Sequence, residues 1–460
     1  MTTGAPAQLS PQEFVDRNPM SRRQWLIVVL GLLMMIAEGL DAAVVAFVYP
    51  RIVDDWGTDL DTVTVTVTLS VLAMIAGGVL AGPLADRYGR KGVTVTGIAV
   101  FGLGTAGMAL THSIAPFAAL RTAACLGLGA VLPTVMALVA DWTPVRRRVQ
   151  MVALAFTGVT AGTAVGGGLA SALIPAHGWP TLLAVCGLAP LLLLPPVLLL
   201  VPESVGVLAA RRPAELRRAL AAVAPDQDLT HVVLEQTGPG RRRRPAIRVI
   251  LSRDFAPTTL LLWLCFFVGQ GVVFVILSYL PLLVEREGLT GSQAAVAVAV
   301  FGWGGLVGQL AVSFYALKHF DRFRVLAGLW ALSVLGFAAA ALWASQFVPL
   351  LAGAFALGLC LPSANAALQA NAAVAYPPAV RATGMSWANS VGKLGPVAGG
   401  LLGGLMVGAG WTLPTVLLTL AVPVGLGILA TLTLHARNRE DGARAHPGPR
   451  PLPTPAAERT

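Results

Sequence analysis

The chain has 460 residues, of which 56% are hydrophobic and 12% charged, and it carries a formal net charge of +10. Soluble domains hold about 25% charged residues, so these charges are too few to cover a water-soluble protein of this size. A cytosolic globular enzyme is excluded, and the composition suits a chain solvated mostly by lipid, where a spanning helix needs about 20 apolar residues.

Residues 1–24 are polar, and the first apolar run is too long for the h-region of a secretory signal. Twelve apolar runs follow, at 25–48, 62–84, 92–111, 114–140, 150–172, 179–201, 256–283, 292–316, 324–344, 348–376, 383–408 and 412–434. A bilayer is crossed only by helices or closed barrels, because every backbone polar group must find its partner inside the protein. Barrel strands alternate apolar and polar residues over about ten positions, and these runs do not, so they predict helices. The stretch Thr62–Leu69 alternates Thr with Val. It reads as a helix start, since a Thr hydroxyl can bond its own helix.

Lys and Arg set the orientation. With both termini inside, the cytoplasmic side receives Arg22, Arg23, Arg87, Arg90, Lys91, Arg146, Arg147, Arg148, the central loop and the tail, and the other side receives only Arg51 and Arg286. That distribution explains the positive charge without nucleic acid. It predicts an integral protein of a bacterial-type cytoplasmic (inner) membrane with both termini cytoplasmic. The expected organisation is an N-terminal tail (1–24), a six-helix lobe (25–202), a linker (203–254), a second six-helix lobe (255–436) and a disordered Pro-rich tail (437–460). The linker holds ten Arg, including Arg241–Arg244, and reads as a solvated segment touching anionic lipid or as a partner-docking segment. Ala214–Ala224 predicts a short amphipathic helix on the membrane surface.

Cys125, Cys186, Cys265 and Cys360 stand singly in apolar runs and read as small packing residues. The six His all lie between spans or in tails. No metal-ligand spacing, disulfide framework or ATP-binding loop is present in the sequence, so neither metal nor cofactor is expected and the driving force is an ion gradient.

The second span ends Gly82-Pro-Leu-Ala-Asp86-Arg87-Tyr-Gly89-Arg90-Lys91, and after the eighth comes a weaker echo, Lys318-His-Phe-Asp321-Arg322-Phe-Arg324. Other segments mark span ends and span interiors: Glu38-Gly39-Leu40-Asp41; Arg121, with Asp141-Trp-Thr-Pro144-Val-Arg146; Pro202-Glu203-Ser204; Ser278-Tyr279-Leu280-Pro281; Tyr376-Pro377 through Arg381-Ala-Thr383-Gly384; and Trp387-Ala388 through Gly392-Lys393-Leu-Gly395. Taken in order, they resemble the aromatic acid:proton symporter family of the major facilitator superfamily. The resemblance covers nearly the whole chain apart from the tails and middle loop. It departs at Glu38, where the family usually has Asp, and at Lys393, where it usually has Arg. Lys keeps the charge but loses the bidentate fork.

The resemblance implies an all-α fold of twelve transmembrane helices in two pseudo-symmetric lobes, with substrate and coupling ion held near the midplane between them. It further implies a non-enzymatic, monomeric transporter that takes up a small aromatic carboxylate with protons. Gly82, Asp86, Arg87, Gly89 and Arg90, with Asp141, Arg146 and Arg381, are then a conformational switch; the alternative is an anchor that keeps positive charge inside.

Glu38, Asp41, Arg121 and Lys393 are the ionisable residues well inside spans, and each costs about 2.5–3.5 kcal/mol at a helix centre on insertion scales. Glu38 and Asp41 are three residues apart and share a helix face. Asp41 is the expected proton site, with Glu38 as its coupled partner; the alternative is a structural bridge from either acid to Arg121. Lys393 and Arg121 are candidates for the substrate carboxylate, and Tyr279, Trp387, Gln270 and Asn389 for the pocket around its ring. Gly395-Pro396 lies in the eleventh span, whereas efflux antiporters of the superfamily usually carry Gly-Pro in the fifth, which favours import. Two other readings stay open: a proton-antiporting efflux pump for aromatic or amphipathic compounds, and a sensor that binds substrate without turnover.

Overall fold

The structure is a computed structural model that describes residues 10–223, 246–377 and 380–445; among them there is no strand. The apolar runs form helices: the first span Arg22–Trp56, the second Leu60–Tyr88, the third Arg90–Met108, the fourth Ile114–Trp142, the fifth Val145–His177 and the sixth Trp179–Leu200. In the second half the seventh is Ala256–Arg286, the eighth Gly291–His319, the ninth Arg322–Leu342, the tenth Phe347–Ala375, the eleventh Arg381–Gly408 and the twelfth Leu413–Ala445. Eleven of these helices are long and apolar enough to cross a membrane on that ground alone. The third is the exception, since Arg90 and Lys91 open it and Gly and Thr dilute it. It is nonetheless packed between the fourth and sixth spans and completes the twelve.

Local chemistry sets the ends and breaks. Ser21 and Thr290 close capping boxes with Gln24 and Gln293, and Asp59 and Asp321 accept from the first-turn N–H groups of their helices. Thr62 is helical, as its reading required. Gly89 has φ +102°, a conformation that glycine adopts without strain, and turns the second span directly into the third. The sixth span breaks at Leu193 and the eleventh at Lys393. In the eleventh the cause is Pro396, which has no N–H to offer the carbonyl four residues back, at Gly392, where the helix stops. The eighth span passes through a five-residue π turn, Val312–Ala316.

Helix pairing is pseudo-symmetric. First packs on fifth, second on fourth, third on fourth and sixth; seventh packs on eleventh, eighth on tenth, ninth on tenth and twelfth. Adding six to each member of the first set gives the second, which is the two-lobed arrangement that the resemblance implies. The lobes meet through second against eleventh and fifth against eighth and tenth.

The linker is partly built. Helices Val205–Arg211 and Pro213–Val223 fold back under the first lobe, beside a third short helix, Pro11–Arg17, in the segment expected to be a simple tail. The helix expected to lie on the membrane surface instead buries Leu216, Ala219, Leu220 and Val223 in one cluster with Phe14, Val15, Ile27 and Trp142. Its apolar stripe is satisfied by protein rather than by lipid. The twelfth helix runs on to Ala445, past the expected start of disorder at Arg437. Arg241–Arg244 and the remainder of the C-terminal tail lie outside the described residues.

Candidate functional site

Two sites emerge: a charged group halfway along the spans, and a polar lock at the end of the bundle that carries the basic loops, called here the basic end.

The mid-span group begins with a helix crossing. A methyl group at Gly39 would collide with the Val159 carbonyl, and one at Gly162 with the Ile36 carbonyl. Glycine therefore lets the first and fifth spans touch along their backbones. This close seat fixes the rotation of the first span and with it the direction of Glu38 and Asp41. Asp41 is 1% exposed and takes both oxygens to Arg121, at 2.6 and 2.9 Å, forming a two-point ion pair between the first and fourth spans. Of the two acids considered for the bridge, Asp41 makes it. Glu38, one turn earlier, is half-buried, and its Oε2 has no hydrogen-bond partner.

Lys393 sits at the break in the eleventh span, on the opposite lobe. It lies close enough to Glu38, Asp41 and Cys125 to act on each electrostatically, yet it forms no ion pair within 4.0 Å among the described residues. Gln270 stands beside the break, its Nε2 2.6 Å from where a methyl group on Gly392 would be. Half of a charged pair on one lobe thus faces a cation on the other.

The remaining pocket candidates have local partners. Asn389 is buried and exchanges hydrogen bonds with Gln369 of the tenth span, at 2.6 and 3.2 Å. Tyr279 donates to the Gly400 carbonyl at 2.7 Å and braces the seventh span against the eleventh. Trp387 stacks on Trp263 with centroids 5.8 Å apart and belongs with Tyr376 and Phe323 to a cluster at the basic end. Of these four, Gln270 lies beside the break at Gly392, and the carbonyl of Asn389, one turn before it, accepts from the Lys393 backbone N–H at 3.0 Å.

At the basic end, Asp141 receives two guanidinium groups: Arg90 of its own lobe and, at 2.5 Å, Arg381 of the other. All three side chains are at most 4% exposed. Asp86 accepts from the Thr383 hydroxyl at 2.7 Å across the same interface, and Gly82 is needed there because a Cβ would lie 2.5 Å from the Thr383 Cα. A third bond between the lobes runs from Ser390 to the Ile75 carbonyl at 3.3 Å. Arg87 lies over the Tyr88 ring, and its carbonyl accepts from Arg211. Arg146 is exposed, outside this network. The buried member of the Arg triplet is Arg148, which donates to the Ala140 carbonyl at 2.8 Å and to Asp16 at 3.2 Å. The echo at Asp321 behaves differently: it caps its own helix and pairs with His435 at 3.4 Å, within one lobe.

Sequence reasoning quoted Glu203 and Thr383 but gave them no role. Glu203 Oε1 accepts from the backbone N–H groups of Arg90, Lys91 and Ser204 at 2.7, 3.1 and 2.8 Å, tying the sixth span to the start of the third. The only sequence signal was an acid at the end of an apolar run.

The family model described as Major Facilitator Superfamily matches residues 31–339 and 288–458, together most of the chain. The chain belongs to the major facilitator superfamily. Among curated members it is 36% identical to a 4-hydroxybenzoate transporter of Pseudomonas aeruginosa, over 92% of this chain and 95% of that one. It is 33% identical to a gallate transporter of Pseudomonas putida, over 96% and 98%, and 29% identical to the 3-(3-hydroxy-phenyl)propionate transporter of Escherichia coli, over 86% and 90%. The solved proton:xylose symporter XylE superimposes with a TM-score of 0.71 at 15% identity, covering 91% of this chain and 96% of that one; at that identity it supports the fold. As a facilitator the protein is an integral membrane transporter and not an enzyme.

Proposed function

We propose that this facilitator takes up an aromatic carboxylate together with protons. The observation that carries the reading is the mid-span arrangement: Asp41 held by Arg121 on one lobe, with Lys393 facing them from the other and in no ion pair within 4.0 Å among the described residues. Lys393 is half-buried, with Glu38 and Asp41 near it but no carboxylate within 4.0 Å among the described residues, and a substrate carboxylate is a group that can pair with it directly. The curated relatives handle hydroxylated benzoates and a phenylpropionate, which supports an aromatic acid as the anion.

In this reading the termini and the basic end face the cytoplasm, following the Lys and Arg distribution. The bonds of Arg381, Thr383 and Ser390 to the first lobe hold that side together, so the substrate reaches the mid-span group from the opposite side. Protonation of Asp41 loosens its hold on Arg121 and removes a negative charge from the path of the anion. The carboxylate then bridges Lys393 and Arg121, with Gln270 beside it. With these charges matched, the lobes rock, Asp141 releases Arg381, and both solutes leave on the inside. Glu38 is the second carboxylate through which the proton passes. The transporter works as a monomer and needs no cofactor beyond the proton gradient.

The test is uptake of labelled 4-hydroxybenzoate, gallate and 3-(3-hydroxyphenyl)propionate into proteoliposomes, with and without an inward proton gradient, for wild type and Asp41→Asn. Gradient-driven accumulation lost in the variant is expected. Accumulation that ignores the gradient, or survives the substitution, overturns the coupling; outward flux of these acids overturns the direction in favour of efflux.

A further inference from the structure

A cavity of about 600 Å³ lies at the basic end of the first lobe, away from the mid-span group. It is enclosed by the starts of the first and third spans, the end of the sixth and the linker helices, and it is lined by Arg23, Lys91, Arg212 and Arg218 against Glu203 and Glu215. The two acids are already engaged. Glu203 is spent on three backbone N–H groups, and Glu215 pairs with Arg212 at 3.4 Å. Lys91 Nζ is steered into place by the Leu198 carbonyl at 2.6 Å, and Arg23 and Arg218 have no ion pair within 4.0 Å among the described residues. Arg23 also lies in the first turn of its helix, where the macrodipole favours an anion and the helix supplies no acid of its own, whereas the start of the third span is already met by Glu203.

A second cavity, of about 420 Å³, runs along the lipid-facing side of the second, third and fourth spans and is walled by Leu80, Leu84, Val100 and Leu126. The two are contiguous, since Tyr88, Gly92 and Thr96 line both. A basic chamber at the end of the spans therefore adjoins, across Tyr88, Gly92 and Thr96, an apolar groove that descends along them. Free phosphate or a nucleotide fits the chamber but leaves the groove unused. A molecule with an anionic head and an acyl chain fits both.

We propose that this pair of cavities is a binding site for one anionic phospholipid, its headgroup phosphate among Arg23, Lys91 and Arg218 and one acyl chain in the groove below Thr96. Because the headgroup contacts both the linker helix Pro213–Val223 and the joint between the second and third spans, the lipid fastens the linker to the switch segment.

The experiment uses the full-length protein in phosphatidylcholine nanodiscs containing a trace of phosphatidylglycerol with a photoreactive acyl chain, and cross-links are mapped by mass spectrometry. Labelling within residues 80–100 and at Leu126 is expected. Arg23→Gln/Arg218→Gln is expected to lower it roughly thirtyfold, the scale for two basic side chains acting on an anionic headgroup. Arg217→Gln, on the same helix but outside the cavity, is expected to leave it unchanged. Thr96→Trp, which fills the groove and keeps every cation, is also expected to lower it. Equal labelling by a phosphatidylcholine probe, or labelling unchanged in the double variant, overturns the site. Displacement by millimolar glycerol phosphate would show that the chamber reads free phosphate and overturns the lipid assignment.

Discussion

Asp141 and Arg381 are 240 residues apart in the chain and 2.5 Å apart in space. Their bond is a direct side-chain link between the lobes, made at the basic end in a site that also holds Arg90. One carboxylate is thus shared between a guanidinium of its own lobe and one of the other, so loss of Arg381 takes away the charged link across the interface while leaving Asp141 its partner Arg90.

Arg381→Ala is expected to release the basic end. Breaking a buried pair typically costs about 3–5 kcal/mol, here felt mainly by the closed arrangement. Spin labels on the loops flanking the second and tenth spans should report a population with longer distances, and uptake should fall at least tenfold. Unchanged distances would show that Asp86–Thr383 suffices to hold the lobes.

Gly82→Val should act in the same direction through sterics. Its side chain meets the Thr383 backbone, which cannot yield without moving the eleventh span. Cysteine accessibility at the basic end should rise, while the arrangement in which those spans separate is unaffected.

Arg121→Lys preserves charge and loses the two-point grip on Asp41. The expected result is a roughly tenfold loss of gradient-driven uptake, about 1.4 kcal/mol, and a pH profile displaced from wild type. Counterflow at equal pH on both sides should be less affected, since it needs no net proton movement.

Lys393→Ala is expected to weaken binding of 4-hydroxybenzoate at least tenfold in a calorimetric titration, with little effect on the methyl ester, which has no carboxylate. Equal losses for both ligands would make Lys393 a structural residue.

Tyr279→Phe removes the hydroxyl that reaches the Gly400 carbonyl. A net hydrogen bond is worth about 1 kcal/mol, so the melting temperature should fall by a few degrees while KM stays within about twofold. A large rise in KM with unchanged stability would return Tyr279 to the substrate pocket.

The span count, the two halves and the placing of Glu38, Asp41, Arg121 and Lys393 within spans were legible from residues alone, because a charge inside an apolar run is costly and therefore stands out. The partners were not. Arg146, Arg147 and Arg148 are consecutive on a helix and point about 100° apart, so only one turns inward, and packing of the fifth span selects Arg148. Asn389 and Trp387 looked like pocket walls because polar and aromatic residues within spans suit a ligand; Gln369 and Trp263, on other helices, claim them. The amphipathic helix Pro213–Val223 was legible as a helix, but its pattern is the same whether lipid or protein covers the stripe.

The sequence by itself determined that the chain spans a membrane, how many times, with which end basic, and which residues carry charge into the bilayer. Each of these follows from the local cost of placing a given residue in hydrocarbon. Only the tertiary structure decided that Asp41 rather than Glu38 binds Arg121, that Asp141 joins the lobes through Arg381, and that a basic chamber meets an apolar groove at Thr96. Those facts depend on the rotation and offset of helices distant in sequence. Backbone contact at residues such as Gly39 and Gly82 sets that rotation, and no pattern within a single span encodes it.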